Sequence, residues 1–572
     1  MTPPPTSNSS PLLVRLQARL TDGLTYGLMF VRQIDLWSLG AIAIALIIAA
    51  PILFIASNVL TTPSAVWGHL ASTVLPRYLI NSAILVIGVS AGTIVIGVST
   101  AWLVSICNFP GRRIWEGLLL FPLAAPAYLL AYTYTDFLEF SGPVQRGLRD
   151  LFGWGYGDYW FPNIRSIGGA IALLVLTLYP YVYLLTRVAF LEQSVCTLEA
   201  SRVLGCSPWR SFLTVAVPLA RPAIAAGTAL ALMETLNDFG TVQYFGVDTF
   251  TTGIYRTWFA MGDRPAATQL AAILLLFVFA LLAIERYSRN QAAYFQTDST
   301  AALPVPRYDL KGWRAAGAIA ICGFPVLFGF LLPAGVLLEM AIANADQVFN
   351  RDFWQFASNS LLVAGVTAFI AVIVATFLAY SVRLNPRWAI QLSARVAALG
   401  YAIPGSAIAV GVLIPAGTID NTIDRWMRST FNLSTGLLFS GTMVILVFAY
   451  LVRFLAVSYG SVESSLSKVS PSLDEAARSL GYSPAKTLLK IHVPIVWSGL
   501  LTAAMTVFVD VMKELPATIA LRPFNFDTLA VRIYNLASDE RLAEASGLAL
   551  ALVVVGMIPT LTLGWQISRS SD

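Results

Sequence analysis

Apolar and polar residues fall along this chain in long blocks rather than in the short rhythms of a soluble fold. With a window of about 20 residues, twelve apolar runs reach membrane-spanning length. In the first half they are Leu36 to Leu60, Leu79 to Ile106, Ile114 to Tyr134, Ile167 to Leu191, Pro222 to Phe245 and Ala266 to Ile284. The second half gives Ala315 to Ile342, Asn359 to Val382, Val396 to Ala416, Gly436 to Leu455, Gly499 to Leu521 and Ala545 to Leu563. A longer polar stretch with several basic residues, 285–314, divides the runs into six and six. The pattern predicts an all-α polytopic membrane protein of about twelve transmembrane helices in two six-helix bundles. The expected divisions are a cytoplasmic segment 1–35, a first half 36–284, a cytoplasmic linker 285–314, a second half 315–563 and a tail 564–572. Residues 11–35 mix Arg with apolar residues and suit either a short helix on the membrane face or a disordered tail.

Composition sharpens this picture. Of 572 residues, 57% are hydrophobic and 12% charged, too little polar surface for a soluble globule. The net charge of +5 does not point to nucleic acid, because basic residues must flank membrane spans. Lipid bilayer is the partner it implies. If the two repeated loops described next are inside, both termini are inside too, and inner segments collect roughly 23 Lys and Arg against about 12 outside. Four cysteines (Cys107, Cys196, Cys206, Cys322) show no metal-ligand spacing, and with only His69 and His492 a His-dependent site is not expected. Met1 to Ser10 is polar and Pro-rich, so no cleavable signal is expected.

One stretch is used twice. Residues 475–495 read EAARSLGYSPAKTLLKIHVPI and residues 199–219 read EASRVLGCSPWRSFLTVAVPL, an offset of 276. Glu199, Ala200, Gly205, Val215 and Pro218 match Glu475, Ala476, Gly481, Ile491 and Pro494; Ala477 is replaced by Ser201 in the first copy. Small residues let a helix lie close to a partner, and each glycine can take the backbone angles that end it. Ser207-Pro208 and Ser483-Pro484 then suit the N-cap and first turn of a second helix. The stretch resembles the EAA loop of ATP-binding-cassette importer permeases, which implies a cytoplasmic docking segment for an ATPase. An amphipathic loop lying on the bilayer is the plainer alternative. The repeat extends further: Asn81-Ser82 matches Asn359-Ser360, Ser105 and Pro110 match Ser381 and Pro386, and Pro126 matches Pro404. With both EAA loops on one side, the repeat is parallel about an axis along the membrane normal, and a pathway is expected between the halves.

Charges recur inside the predicted spans. METLNDFGTV (233–242) carries Glu234 and Asp238, and VDVMKELPAT (509–518) carries Asp510 and Glu514, again 276 residues apart. Residues four apart share a helix face. Carboxylates at this depth are costly unless paired or facing water, and they are hard ligands for a hard cation. Either the four line an acidic passage as transient ligands with no fixed metal site, or Lys513 neutralises one while the others bond to backbone. Gly240 and Pro516 follow and can interrupt the helix. The outer loop Phe137 to Ser166, rich in Gly, Trp and Tyr, fits a docking surface or an interfacial aromatic belt.

Across nearly its whole length the chain resembles the fused, two-in-one permeases of bacterial ferric iron importers, most specifically at SPSLDEAARSLGYSP (470–484), KELPATIALRPFNFDTLAVRIYNLASDERLAEAS (513–546) and METLNDFGTVQYFG (233–246). The resemblance implies a type I importer permease fold in a bacterial inner membrane, a periplasmic protein delivering Fe(III), and two copies of a separate ATPase. Those copies would bind EAA loops at about 192–219 and 464–495, through Glu199, Ala200, Gly205, Glu475, Ala476, Ala477 and Gly481. No GxxxxGK[ST] pattern occurs, so ATP is expected to be used by the partner, with no cofactor bound here and no enzymatic role. A fused permease for thiamine or another small solute, and a proton-coupled secondary transporter, remain the alternatives.

Overall fold

The computed structural model describes residues 35–58, 66–155, 157–192, 203–290, 307–348 and 351–570. Among them ten helices are long and apolar enough to cross a membrane. Two further helix pairs, bent by 88° within Arg112–Phe152 and by 80° within Pro484–Lys513, bring the total to as many as twelve.

The first bend has a local cause that recurs in the ninth span. Pro126 and Pro404 have no N–H and cannot continue the helix hydrogen-bond ladder. The residues before them, Ala125 and Ile403, are extended (ψ 128° and 126°), as a following proline requires. Short 3₁₀ turns, Phe121–Ala124 and Gly400–Ala402, lead into both breaks, and new helices start at Ala127 and Gly405. The third and ninth spans are therefore kinked at matched places.

The interruptions expected at Gly240 and Pro516 are present, and the tenth and twelfth helices differ in extent from their predicted runs. The fifth and eleventh are not continuous: Val217–Asn237 is followed by a separate helix Gly240–Tyr244, and Trp497–Lys513 by Pro516–Leu521. The tenth helix is Met443–Ser467 rather than Gly436 to Leu455. Its apolar approach, Leu437 to Phe439, belongs to a loop whose amides bond to two carboxylates. Asp420 accepts from the N–H groups of Leu438, Phe439 and Ser440, and Asp424 from those of Thr435 and Gly436. The twelfth helix runs through the predicted tail to Ser570.

Each half has a three-helix centre. In the first, the second span (Leu75–Ile106), the fourth (Ile167–Glu192) and the fifth pack together, as do the eighth (Arg351–Leu384), tenth and eleventh in the second. Lipid offers no hydrophobic drive for helices to associate, so close contact must hold them. A Cβ on Gly227 would lie 2.7 Å from the Val182 Cα, which shows how near the fifth span comes to the fourth. The first span (Leu36–Asn58) leaves this group and lies on the ninth, while Trp37 also stacks on Phe377 of the eighth at 4.9 Å between ring centroids. The seventh (Trp313–Ala343) lies reciprocally on the third, where Phe330 meets Phe121. The division in space thus differs from the division by chain order for these two helices.

The repeated Asn residues have matching tasks. Asn81 and Asn359, near the starts of the second and eighth spans, each donate from Nδ2 to a loop carbonyl, Asp248 (2.8 Å) and Asp527 (3.0 Å). Linker residues Tyr308–Asp309 pair in parallel with Cys107–Asn108, tying the start of the second half to the loop after the second span.

Candidate functional site

The second EAA segment is a capped helix–turn–helix. Helix Pro471–Ser479 begins with Ser470 as N-cap, Gly481 turns the chain at φ +77°, and Ser483 caps the next helix by accepting from the Lys486 N–H. Of the first copy, Glu199 and Ala200 lie outside the described residues. Gly205 has the same left-handed φ, +78°, and the Ser207 hydroxyl accepts from the Arg210 N–H. A wide π turn follows in both copies, Phe212–Ala216 and Leu488–His492, ahead of Pro218 and Pro494, which cannot donate to the helix ladder.

Glu475, Ala476 and Gly481 are exposed, whereas Ala477 faces inward at 1% exposure. Large apolar side chains stand uncovered at matched places, Leu204 at 82% and Leu480 at 75%. Beneath the second helix lies a buried ionic anchor absent from the sequence-based expectations. Arg383 donates from Nε to Asp474 Oδ2 (2.9 Å), and its other nitrogens reach the carbonyls of Leu466 (2.8 Å), Val469 (2.9 Å) and Ser470 (3.3 Å). His492, fully buried, lies 2.7 Å from Asp474 Oδ1 through Nε2. Burial works against the Asp474 carboxylate, but the hydrogen bonds and charges of Arg383 and His492 outweigh it and hold the carboxyl below its ordinary value. The positions 276 residues earlier are Cys107, Leu198 and Ala216, none of them charged.

Between the halves lies a cavity of about 150 Å³. All four predicted carboxylates, Glu234, Asp238, Asp510 and Glu514, border it, together with Lys513, Arg453, Asn237, Tyr181 and Tyr401. The carboxylates divide into two kinds. Asp238 and Glu514 sit at the helix breaks and cap the short helices beyond. Asp238 accepts from Val242 N (3.0 Å) and the Thr241 hydroxyl (2.9 Å); Glu514 accepts from Ala517 N (2.9 Å), Thr518 N (3.0 Å) and the Thr518 hydroxyl (2.6 Å). Their oxygens are largely committed to structure. Glu234 and Asp510, one turn earlier, are not so committed: Glu234 lies 3.9 Å from Arg453, and Asp510 makes no side-chain hydrogen bond among the described residues.

Arg453 was not singled out from sequence. It bonds Glu514 Oε1 at 3.1 Å and Asn237 Oδ1 at 2.9 Å, at 5% side-chain exposure. The run Gly436 to Leu455 put it at a membrane boundary; the true helix, Met443–Ser467, puts it in the middle. A charge inside an apolar run was the signal. Among the described residues no group of three or more His, Cys, Asp or Glu side chains is arranged to hold a metal ion, which matches carboxylates dispersed around a cavity rather than a cage.

Comparison with known proteins places these features in context. Residues 93–290 match the family described as "Binding-protein-dependent transport system inner membrane component". Over 493 residues the chain is 24% identical to the Fe(3+)-transport system permease protein FbpB 2 of Haemophilus influenzae, covering 86% of this chain and 90% of that protein. It is 24% identical over 469 residues to the ferric transport system permease protein FbpB of Actinobacillus pleuropneumoniae, covering 78% of this chain but 65% of that longer relative. A shorter match, 29% over 206 residues, is to the molybdenum transport system permease protein ModB of Escherichia coli, 34% of this chain and 87% of that protein.

Proposed function

We infer, for a chain whose residues 93–290 are a permease component of binding-protein-dependent transport, that it supplies both membrane halves of an ATP-driven importer and that its cargo is Fe(III). In this reading a periplasmic binding protein delivers the ion. Two copies of a separate ATPase dock on the segments 192–219 and 464–495, which places both termini in the cytoplasm, and ATP is used by that partner with no cofactor held here. Glu475, Ala476 and Gly481, exposed beside Leu480, are the contacts of the second loop; Glu199, Ala200 and Gly205 are those of the first. Closure of the ATPase pair would draw the two segments together and rock the halves about the cavity between them.

The observation that carries the choice of cargo is the cavity's charge. Four carboxylates face two basic side chains, a formal excess of two negative charges. Likeness to a molybdenum permease as well as to ferric ones means that the fold does not choose the cargo; the lining must. An anion would meet repulsion here, and a hard cation would meet oxygen ligands it prefers. Size favours an ion over an organic cation such as thiamine, since sites for small molecules usually measure about 300–1,000 Å³ and this one about 150 Å³. No metal need be held for long: Glu234 and Asp510, uncommitted to capping, suit transient ligation and release.

The test is iron-55 uptake by vesicles holding the permease with its ATPase and binding protein. Glu234→Gln combined with Asp510→Asn should cut uptake at least tenfold while ATPase association persists, and Glu475→Ala should weaken that association. Unlabelled thiamine should not compete. Uptake unchanged in the double variant would overturn the acidic passage, and thiamine competition would replace iron as the cargo.

A further inference from the structure

Both basic residues of the cavity come from the second half. At the matched positions the first half has Thr177 for Arg453 and Asn237 for Lys513. Asn237 and Lys513 are each the last residue of the helix before the break. Each reaches across the axis into the other half. The Asn237 carbonyl oxygen accepts from the Gly405 N–H at 2.7 Å and from Arg453 Nη1 at 2.9 Å, and the Lys513 ammonium donates to the Leu123 carbonyl at 2.7 Å. The targets correspond as well as the arms do. Gly405 directly follows Pro404, and Leu123 lies in the 3₁₀ turn leading to Pro126, so each arm ends at the kink of the other half's third or ninth span.

The breaks also meet through apolar groups. Phe239 and Leu515, at matched positions, are buried at 4% and 1% exposure. Gly240 stands so close to Leu515 that a Cβ would lie 3.0 Å from its Cδ2, and Phe239 reaches Tyr534 of the second half with ring centroids 5.9 Å apart. The halves cannot part at this depth without breaking the two polar arms.

We propose that Asn237 and Lys513 form a two-armed latch that holds the halves together at the helix breaks, and that Arg453, paired with Glu514 and bonded to Asn237, serves as a tethered cation which an incoming cation displaces from the carboxylates. The second clause rests on the reading of the cargo as a cation; the first does not. Asp510 is three residues before Lys513 on one helix and thus on the same face. A ligand shifts a conformational equilibrium only through differential affinity for its states. A cation taken up by Glu234 and Asp510 competes for the charge that holds Arg453 in place, and Arg453 donates to the Asn237 Oδ1, so cargo binding loosens the Asn237 arm that opposes separation. Positions joined in a parallel repeat and released together give a two-state element of the kind such transporters need.

The experiment measures ATP hydrolysis by the reconstituted permease–ATPase complex without and with the binding protein, which needs no knowledge of the cargo. Lys513→Met and Asn237→Ala should each raise hydrolysis without binding protein at least fivefold and reduce its stimulation by binding protein, while Gly335→Val, with nothing within 4 Å of an added Cβ, should stay within twofold of the unaltered complex. Basal hydrolysis within twofold of the unaltered level in both Lys513→Met and Asn237→Ala would overturn the latch. Should the Lys513→Met complex fail to assemble, Asn237→Ala, which removes no charge, decides alone. Displacement by cargo is read separately: adding ferric ion with the binding protein should stimulate hydrolysis in the unaltered complex and much less in Arg453→Gln. Equal stimulation in both would discard the tethered-cation step and keep the latch, whereas absence of iron-55 uptake with raised basal hydrolysis would discard only the cargo.

Discussion

Arg383 offers the sharpest test of how the second coupling segment is held. Its guanidinium makes two charged contacts to Asp474, 2.9 Å through Nε and 2.7 Å through Nη2, and bonds three carbonyls around the junction of the tenth span and the EAA helix. The pair is mostly buried, with 17% and 12% side-chain exposure. Breaking a buried pair by deleting one partner costs about 3–5 kcal/mol. The lower end applies to Arg383→Ala, because His492 keeps its contact with Asp474. A loss of about 3 kcal/mol is roughly a hundredfold change in an equilibrium. Local opening of the helix Pro471–Ser479 should therefore become about a hundred times more frequent, and its amides should exchange with deuterium correspondingly faster in nanodisc-embedded protein. Amides around the first π turn, Phe212–Ala216, should be unaffected. Arg383→Lys should recover only part of the protection, since an ammonium cannot reproduce the fork of contacts. Exchange at 471–479 within threefold of the unaltered protein would refute the anchor.

Other consequences are checked with similar tools. The lowered pKa of Asp474 has a defined sign: a carboxyl depressed on folding adds stability that is present above its unfolded value and lost as pH falls through the folded one. Exchange protection of the EAA helix, corrected for intrinsic rates, should hold from neutral pH down to the ordinary aspartate value of 3.8 and fail below it; failure well above that value would refute the role of Asp474. Gly227→Val puts methyl groups against Val182 backbone that a Cβ already approaches to 2.7 Å, so it should cost at least about 1–3 kcal/mol and lower the melting temperature in detergent. Gly335→Val, with nothing within 4 Å, is the control, and equal melting of the two variants would refute the packing argument.

Much of the architecture was legible because hydrophobic blocks of spanning length leave little choice but helices, and because a repeat assigns matched places to matched residues. The offset that pairs Gly205 with Gly481 pairs two left-handed turns, and the one that pairs Asp238 with Glu514 pairs two helix caps. What the pattern could not carry was direction and partner. An apolar window sums content, so it ran through the breaks at Asp238 and Glu514 and took Leu437 to Phe439 for helix although Asp420 and Asp424 bind that loop's amides. Periodicity says that Glu234 and Asp238 share a face but not that one faces the cavity while the other turns to backbone N–H groups. Exchange of the first and seventh spans depends on contacts hundreds of residues apart, such as Asn385 Nδ2 to Ser38 Oγ at 3.2 Å.

Duplication has preserved backbone solutions and let the charges diverge. Kinks, breaks, π turns and caps recur in both halves, since each answers a requirement of the chain itself: a proline without an N–H, an exposed helix end, a glycine turn. Buried ion pairs answer to surroundings and do not recur. The first half buries Glu116 against Arg187, with Arg112 at 3.9 Å, where the second has Leu392, Glu463 and Trp388. The second buries Asp474 between Arg383 and His492, where the first has Leu198, Cys107 and Ala216. At the cavity the carboxylates are shared two and two, while both cations belong to the second half. A rocking motion that is twofold in backbone is thus one-sided in electrostatics. Charge reversals at Arg453 or Lys513 have no equivalent at Thr177 or Asn237, and the charges that anchor the second coupling segment have no charged counterparts at the matched positions of the first.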